Sequence, residues 1–383
     1  MNSILDRDSA AWRELGGLDT AEEIAHQPML WQVLAANLAA EQARVAAFLG
    51  DWLAQPGHRV ILTGAGSSAF VGQLAADALG PRVAAEVRAI ATTSLLTHPG
   101  QYLEARRPTL LVSFARSGNS PESVGAVELL RRTLPGARFL NITCNADGAL
   151  AHTADGHVDS LNVLMPAGSC DRGFAMTSSF SCMLLAALAL LGEDAATARR
   201  RIEALAGLAA TALQDWNAPL AGLAALPLAR VVYLASGPLE ALAREAALKV
   251  LELSSGRALA LADTALGFRH GPKSVLDRDS LVVLLRSASP LALRYEQDLL
   301  DELRRDGIAA RCLSVGPRAS GAELAADLPP DADLPDAWLA PLWLVAAQLF
   351  ALHKSAALGL TPDSPFPDGT VNRVVQGVTI HAD

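Results

Sequence analysis

The chain has 383 residues, of which 51% are hydrophobic and 19% charged, and its formal net charge is −9 at pH 7. This composition excludes an intrinsically disordered chain, and the length predicts two domains, with three as the alternative. The negative charge and the lack of any Lys/Arg run argue against nucleic acid and anionic membranes as partners. A phosphate ligand stays compatible with an acidic chain, because backbone N–H groups, hydroxyls and a single Arg can build a local site.

The ends and the cysteines predict a protein of a reducing compartment. The N-terminal sequence is polar and charged without an apolar signal-peptide core, so we expect a cytoplasmic location. The longest apolar stretch, residues 337–352, contains Pro341 and is short for a membrane span, which favours a buried helix. None of the cysteines forms a C-x-x-C pair, so we expect reduced, mostly buried thiols rather than zinc ligands or disulfides. They are Cys144, Cys170, Cys182 and Cys312.

The first half of the chain alternates strands with helices. Residues 20–54 are predicted to be helical, and helix 121–133 separates two of the strands that follow. The strand candidates are residues 60–63, 85–90, 109–114, 139–143 and 161–164. This alternation predicts a mainly parallel sheet with helices on both faces.

The second half repeats this pattern after a long helical region at 176–215. Its strand candidates are residues 231–235, 258–261, 281–286 and 310–315, with helices at 239–253 and 291–306. Corresponding strand-to-loop junctions are separated by roughly 170 residues, which indicates an internal duplication. We therefore predict an α/β protein with an N-terminal helical segment, two tandem domains and a tail. The predicted boundaries are 1–54, 55–216, 217–360 and 361–383.

Two loops that follow predicted strands could bind phosphate. In the first, Gly64-Ala65-Gly66-Ser67-Ser68, glycines allow close backbone approach, although a tight turn explains them equally well and a dinucleotide fingerprint lacks its third glycine. The second, Ser113–Ser123, places several hydroxyls, Asn119 and Arg116 between the end of a predicted strand and the start of a predicted helix. Helix capping accounts for Ser120 and Pro121 but not for the whole run, so phosphate binding is favoured.

Two further segments could transfer protons. Lys249 has Glu245 four residues before it and Glu252 three after it, in a mostly apolar helical segment. Such charges usually form a solvated ion-pair face, but the apolar context favours a closed site. His270 is followed by Gly-Pro on a constrained loop, where imidazole suits proton transfer, although a lone histidine is more often structural.

These segments together resemble the sugar isomerase (SIS) domain family, especially the isomerase half of glucosamine-6-phosphate synthase. The resemblance spans about residues 25 to 380 and rests on segments 113–123, 247–252 and 269–272. With 268–274, the opening segment 23–31 makes the chain similar to the AgaS-type galactosamine-6-phosphate deaminase/isomerases. The resemblance implies two flavodoxin-like three-layer domains, each with a mainly parallel five-stranded sheet flanked by helices.

The resemblance also implies roles for individual residues. Glu252 corresponds to the base that moves a proton between C1 and C2, Lys249 to its neighbouring lysine, and His270 to the ring-opening histidine contributed by the other subunit of a homodimer. The phosphate-binding and substrate-binding positions are Gly66, Ser67, Ser68, Ser113, Arg116, Ser117, Asn119, Ser120 and Gln376.

Two departures from the synthase affect the implied chemistry. The chain starts Met1-Asn2-Ser3 and is expected to lack the glutamine-hydrolysing domain. Gln376 stands where the synthase tail carries a carbonyl-binding lysine, which puts imine formation at that position in doubt.

The implied reaction converts a hexosamine 6-phosphate to a ketose 6-phosphate and ammonia, without metal, nicotinamide or pyridoxal cofactor. Two rivals are aldose–ketose isomerisation without ammonia release and non-catalytic sensing of a sugar phosphate. A nicotinamide oxidoreductase is a third alternative, which would rest on Gly64-Ala65-Gly66 alone.

Overall fold

The computed structural model describes residues 3–381; Met1, Asn2, Ala382 and Asp383, at the ends of the predicted N-terminal segment and tail, lie outside it. The chain divides into two compact units. The first-sheet unit comprises residues 30–170, 178–202 and the tail from 368. The second-sheet unit comprises the residues up to 29, 171–177 and 203–367.

The strands form a short N-terminal hairpin and two five-stranded sheets. In chain order they are β1 (Ser3–Ile4), β2 (Arg7–Asp8), β3 (Arg59–Thr63), β4 (Glu86–Ala89), β5 (Thr109–Ala115), β6 (Arg138–Thr143), β7 (Ser160–Leu164), β8 (Arg230–Ala235), β9 (Leu259–Thr264), β10 (Ser280–Leu285), β11 (Arg311–Pro317) and β12 (Leu324–Ala326).

The α-helices of residues 3–381 connect and cover these strands. They are α1 (Ser9–Glu14), α2 (Leu18–Ala25), α3 (Gln27–Leu49), α4 (Ser67–Leu79), α5 (Thr92–Thr97), α6 (Pro99–Tyr102), α7 (Pro121–Thr133), α8 (Ala149–His152), α9 (Ser178–Gly192), α10 (Ala195–Ala224), α11 (Glu240–Leu253), α12 (Pro290–Asp306) and α13 (Asp336–Ala357).

Both five-stranded sheets are parallel throughout and share one topology. The first has the spatial order β4-β3-β5-β6-β7, and the second has β9-β8-β10-β11-β12. Counted from the first strand of each sheet, both read 2-1-3-4-5, the flavodoxin-like order. The predicted α/β class with two five-stranded sheets is therefore confirmed, and the repeated order agrees with the duplication inferred from sequence.

The central strands are apolar on both faces because helices cover both sides of each sheet. In the first sheet, Ile61 and Leu111 pack with Val127 and Leu130 of α7 in one buried cluster. In the second, strands β8 and β10 pack on α12; the cluster includes Val232, Leu234, Val282, Leu284, Leu299 and Leu303. These cores fix the carboxyl ends of the strands, from which the functional loops leave.

The helices differ from the sequence expectation at two places. Residues 20–54 form two α-helices and a 3₁₀ turn rather than one continuous helix, with a break at His26 just before Pro28. In contrast, α10 continues through Pro219, close to the predicted domain boundary, and ends at Ala224. A proline removes one backbone donor, which a long helix packed on other elements can tolerate.

The apolar stretch near the C-terminus forms α13, whose residues from Ala337 to Ser355 are buried. Across residues 3–381, no helix is long and apolar enough to cross a membrane. None of the four cysteines forms a disulfide, and of the four only Cys182 is buried. The expectation of mostly buried thiols is wrong, because the other three lie at partly exposed positions.

Candidate active site

The strand order of the first sheet reverses between β3 and β5, and both predicted phosphate loops follow these two strands. Strand β3 runs into residues 64–68 and β5 into residues 116–120. Ligands of open α/β sheets bind at the carboxyl ends of the strands where the strand order reverses. The topology therefore brings the two loops to the same edge of the first sheet.

The loop after β3 depends on two glycines. A Cβ at Gly64 would lie 2.6 Å from the Ser68 Cβ, so only glycine allows this close approach to α4. Gly66 caps α4 with φ 55° and ψ −130°, a conformation that L-residues avoid. Ser67 and Ser68 are 4% and 5% exposed and begin α4, where the Ser68 N–H donates to the Ala65 carbonyl over 3.1 Å.

Hydrogen bonds to the neighbouring segment 145–150 hold the loop after β5 in place. The Asn145 side chain donates to the Ser117 carbonyl over 2.8 Å, and the Leu150 N–H donates to the Gly118 carbonyl over 2.8 Å. The Asn119 side-chain oxygen accepts from Ala149 N–H over 2.9 Å. In this structure the Asn119 side chain therefore helps to fix the conformation of the loop, together with the two backbone-carbonyl bonds.

Three buried hydroxyls at this edge have no hydrogen-bond partner among the residues that the structure describes. They belong to Thr63, Thr92 and Ser113, which are 1%, 1% and 2% exposed. Thr63 and Ser113 face each other across β3 and β5, and Thr92 donates its N–H to the Gly64 carbonyl over 3.0 Å. Buried hydroxyls without partners are costly, and a hydrogen-bonding ligand at this edge would satisfy them. Sequence reasoning found Ser113 and placed Thr63 at the start of the glycine loop, without a role of its own, but missed Thr92.

The C-terminal tail contacts the second loop. The Arg116 guanidinium, 7% exposed, donates to the Arg373 carbonyl over 2.7 Å. The Ser120 hydroxyl donates to the Glu122 carboxylate and makes no bond to the helix backbone, so capping does not explain this serine. Gln376 lies on the exposed part of the tail.

In the second-sheet unit, α11 buries a lysine between two carboxylates. The Lys249 ammonium lies 3.1 Å from Glu245 and 2.7 Å from Glu252. Glu245 and Lys249 have no exposed side-chain surface, whereas the Glu252 side chain is 21% exposed. Burial alone would lower the pKa of Lys249, but the charges and hydrogen bonds of the two glutamates raise it above its ordinary value. A solvated ion-pair face is therefore excluded for these three residues.

His270 lies on the loop that follows β9, at the end of a 3₁₀ turn and on the surface. Gly271 has φ 127°, which fixes a sharp change of direction directly after the histidine. Its neighbours Arg269 and Lys273 both pair with Glu302 of α12, over 2.8 and 2.5 Å. These ion pairs anchor both flanks of the histidine loop.

A buried carboxylate of α2 holds the crossing segment 171–177 in the second-sheet unit. Glu23, 2% exposed, accepts from the backbone N–H groups of Arg172 and Gly173. Burial, together with the charge of Asp171, raises the pKa of Glu23 to about 8. A Cβ at Gly173 would lie 2.9 Å from the Glu23 carboxylate, so glycine is required there. No sequence pattern indicates this contact, because the two segments are far apart in the chain.

The predicted site residues thus fall into two sets. The first-sheet unit contains Gly66, Ser67, Ser68, Ser113, Arg116, Ser117, Asn119, Ser120 and Gln376, and the second-sheet unit contains Lys249, Glu252 and His270. Within residues 3–381, no group of three or more His, Cys, Asp or Glu side chains is placed to hold a metal ion.

Comparison with known proteins identifies the family. No family model matches the chain. The D-galactosamine-6-phosphate deaminase AgaS of Escherichia coli O157:H7 is 44% identical over 370 residues, which cover 95% of this chain and 96% of that protein. The protein of the same name from Shewanella sp. (strain ANA-3) is 38% identical over 96% of this chain and 93% of its own length. The crystal structure of tagatose-6-phosphate ketose/aldose isomerase from Escherichia coli superposes with a TM-score of 0.87 at 41% identity, covering 96% of this chain and 97% of that one. The chain therefore belongs to the AgaS family of SIS-type proteins.

Proposed function

We propose that the protein is a cytoplasmic D-galactosamine-6-phosphate deaminase/isomerase, which converts its substrate and water to tagatose 6-phosphate and ammonia. Two relatives that are 38% and 44% identical to this chain are named D-galactosamine-6-phosphate deaminase, and the match covers nearly their whole length. The single structural observation that carries the proposal is the α11 cluster, in which Glu252 is the only member that reaches solvent. A carboxylate held by a buried lysine and partly open to solvent suits the proton transfers of this reaction.

In this proposal the phosphate of the substrate binds at the edge of the first sheet. The hydroxyls of Ser68, Ser117 and Ser120 supply donors to its oxygens. Arg116 keeps its bond to the tail while its charge favours the dianion. Fixing the phosphate orients the reacting carbons, an advantage that is large for intramolecular proton transfer.

Glu252 then acts as the general base. It removes the proton from C2 of the open-chain amino aldose, and a proton is returned to C1. The C2–H bond and one N–H bond break, a C1–H bond forms, the aldehyde oxygen takes up a proton to become a hydroxyl, and the C2–N bond becomes an imine. Water adds to this imine at C2, and ammonia leaves as the ketose carbonyl forms. Lys249 holds the Glu252 carboxylate in place and balances its charge.

His270 is proposed to open the sugar ring by proton transfer to the ring oxygen, acting across a homodimer. Its exposed position on an anchored loop suits contact with a second subunit. The tail is proposed to close the site, with Gln376 contacting the substrate through its amide rather than forming a covalent imine. The bond from Arg116 to Arg373 supports a link between tail and phosphate loop.

The second candidate function is aldose–ketose isomerisation of a sugar phosphate without ammonia release. It is favoured by the name of the Escherichia coli structural relative, tagatose-6-phosphate ketose/aldose isomerase. Purified protein incubated with galactosamine 6-phosphate, glucosamine 6-phosphate and tagatose 6-phosphate, with ammonia and ketose phosphate measured separately, distinguishes the two. We expect equimolar ammonia and ketose phosphate from galactosamine 6-phosphate. Interconversion of tagatose 6-phosphate with an aldose phosphate, with no ammonia from either amino sugar, would replace the deaminase with the isomerase.

A further inference from the structure

The second sheet repeats the topology of the first but fills the corresponding edge with its own carboxylates. Its strand order reverses between β8 and β10, so the equivalent loops are residues 236–239 and 286–289. Arg286, Ser287 and Ser289 follow β10 as Arg116, Ser117 and Ser120 follow β5. Both serine loops end in a proline that opens a helix.

Glu296 of α12 occupies the centre of this edge. It has no exposed surface, and it accepts from the Ser287 N–H over 3.2 Å and from the Ser236 hydroxyl. The Arg286 Nε lies 3.3 Å from the same carboxylate. One carboxylate therefore takes donors from both loops and pairs with the arginine, as a bound phosphate would.

Asp336, the first residue of α13, takes the remaining donors of the serine loop. It accepts from the Ser287 hydroxyl and from the Ala288 N–H, each over 2.6 Å. Asp336 is only half-buried, whereas Glu296 is fully buried. The outer part of the edge is thus reachable from solvent once the Asp336 carboxylate is removed.

The first sheet has no such carboxylates at the equivalent positions. When the prolines that open α7 and α12 are aligned, Glu296 matches Val127, which is buried and apolar. Helix α9, which follows the last strand of the first sheet as α13 follows that of the second, opens with Ser178 instead of an aspartate. At the first edge Glu122 accepts from the Ser120 hydroxyl, but no carboxylate stands at the positions that match Glu296 and Asp336.

We propose that the loops after β8 and β10 form a second phosphate-binding edge, which Glu296 and Asp336 keep closed. Removing the Asp336 carboxylate opens the edge to inorganic phosphate, which then accepts from Ser287 and Ala288. This inference does not depend on the activity proposed above, because it concerns loops that take no part in that reaction.

The test counts bound phosphate per chain by equilibrium dialysis with radiolabelled inorganic phosphate, for the wild type and for Asp336→Ala. We expect one more phosphate per chain in the variant, whatever number the wild type binds. Adding Ser287→Ala to Asp336→Ala should remove the extra phosphate. Asp327→Ala serves as the matched control, since it removes an exposed carboxylate paired with Arg318 in the same unit and should leave the count unchanged.

A folded Asp336→Ala variant with the wild-type count overturns the proposal. If Asp336→Ala does not fold, the isosteric Asp336→Asn replaces it, and its thermal unfolding midpoint is compared with and without phosphate. The proposal requires phosphate to raise the midpoint of Asp336→Asn more than that of the wild type. Equal shifts in the two proteins, or an equal gain in Asp327→Ala, refute it.

Discussion

The Lys249 ammonium lies 2.7 Å from the Glu252 carboxylate, although the lysine has no exposed surface. This ion pair ties the proposed base to the interior of the second-sheet unit, where Glu245 contacts the same ammonium from the other side. The Glu252 side chain is thereby held in one orientation while 21% of its surface stays exposed.

Replacing Glu252 with Gln should lower kcat by roughly 10²–10⁴, the usual contribution of general acid–base catalysis, with little change in KM. Glutamine keeps the size of the side chain but cannot accept the C2 proton. Steady-state kinetics with galactosamine 6-phosphate measure the effect, with Glu240→Gln on the same helix as the control because Glu240 pairs with exposed Arg244. Near wild-type turnover in Glu252→Gln would remove the residue from the mechanism.

Replacing Lys249 with Met should destabilise the fold by about 3–5 kcal/mol, because two carboxylates lose their buried partner. Urea unfolding followed by circular dichroism gives the free energy of unfolding. Adding Glu245→Gln should recover part of the loss, since it removes one of the uncompensated charges. Strictly additive losses in the double variant would show that the three charges are not coupled.

Ser117→Ala and Arg116→Ala should raise KM for the sugar phosphate more than they lower the unfolding temperature. Both residues lie on the loop after β5, whose donors face the edge of the first sheet. Ser289→Ala is the matched control, because Ser289 precedes Pro290 as Ser120 precedes Pro121 but lies in the second sheet. An unchanged KM in both loop variants, or an equal rise in the control, would exclude this loop from phosphate binding.

A mixture of inactive Glu252→Gln and His270→Ala proteins should regain activity if the histidine acts across a homodimer. Subunits are exchanged by mild denaturation and refolding, and mixed dimers are isolated with two different affinity tags. Mixed dimers that carry one intact Glu252 and one intact His270 should turn over substrate at a fraction of the wild-type rate. Inactive mixed dimers would place both residues in the same subunit.

The free energy of unfolding should depend on pH through Glu23. Burial and Asp171 raise its pKa from the ordinary value of 4.5 to about 8, so the folded chain holds a proton that the unfolded chain releases in this window. Glu23 therefore makes the fold less stable as pH rises from about 4.5 to 8, with a slope of up to about 1.4 kcal/mol per pH unit. Glu23→Gln should remove this component and should be the more stable protein above pH 8. Urea unfolding at pH 5, 7 and 9 tests this, and parallel pH profiles for the two proteins would contradict it.

The sequence predicted the longer strands of both sheets and missed the shortest elements. Nine strands of the two sheets follow from apolar runs, because strands covered on both faces must be hydrophobic. Strand β12 has three residues at a sheet edge, too few to produce a pattern, and the hairpin of β1 and β2 pairs only two residues per strand. The two candidate phosphate loops were predictable because glycine and serine directly follow predicted strands. The contacts of Glu23 and Glu296 were not, because they join segments that are separated in the sequence and show no common pattern.

Helix α12 supports two features of the second-sheet unit at once. Glu296 near its start fills the edge of the sheet, and Glu302 near its end pairs with both flanks of the His270 loop. One helix therefore connects the edge of the second sheet to the loop that carries His270. A substitution that tilts α12 should therefore displace the His270 loop even when the substituted residue does not contact that loop. Loss of activity after a change in this helix is thus no evidence that the changed residue contacts the substrate.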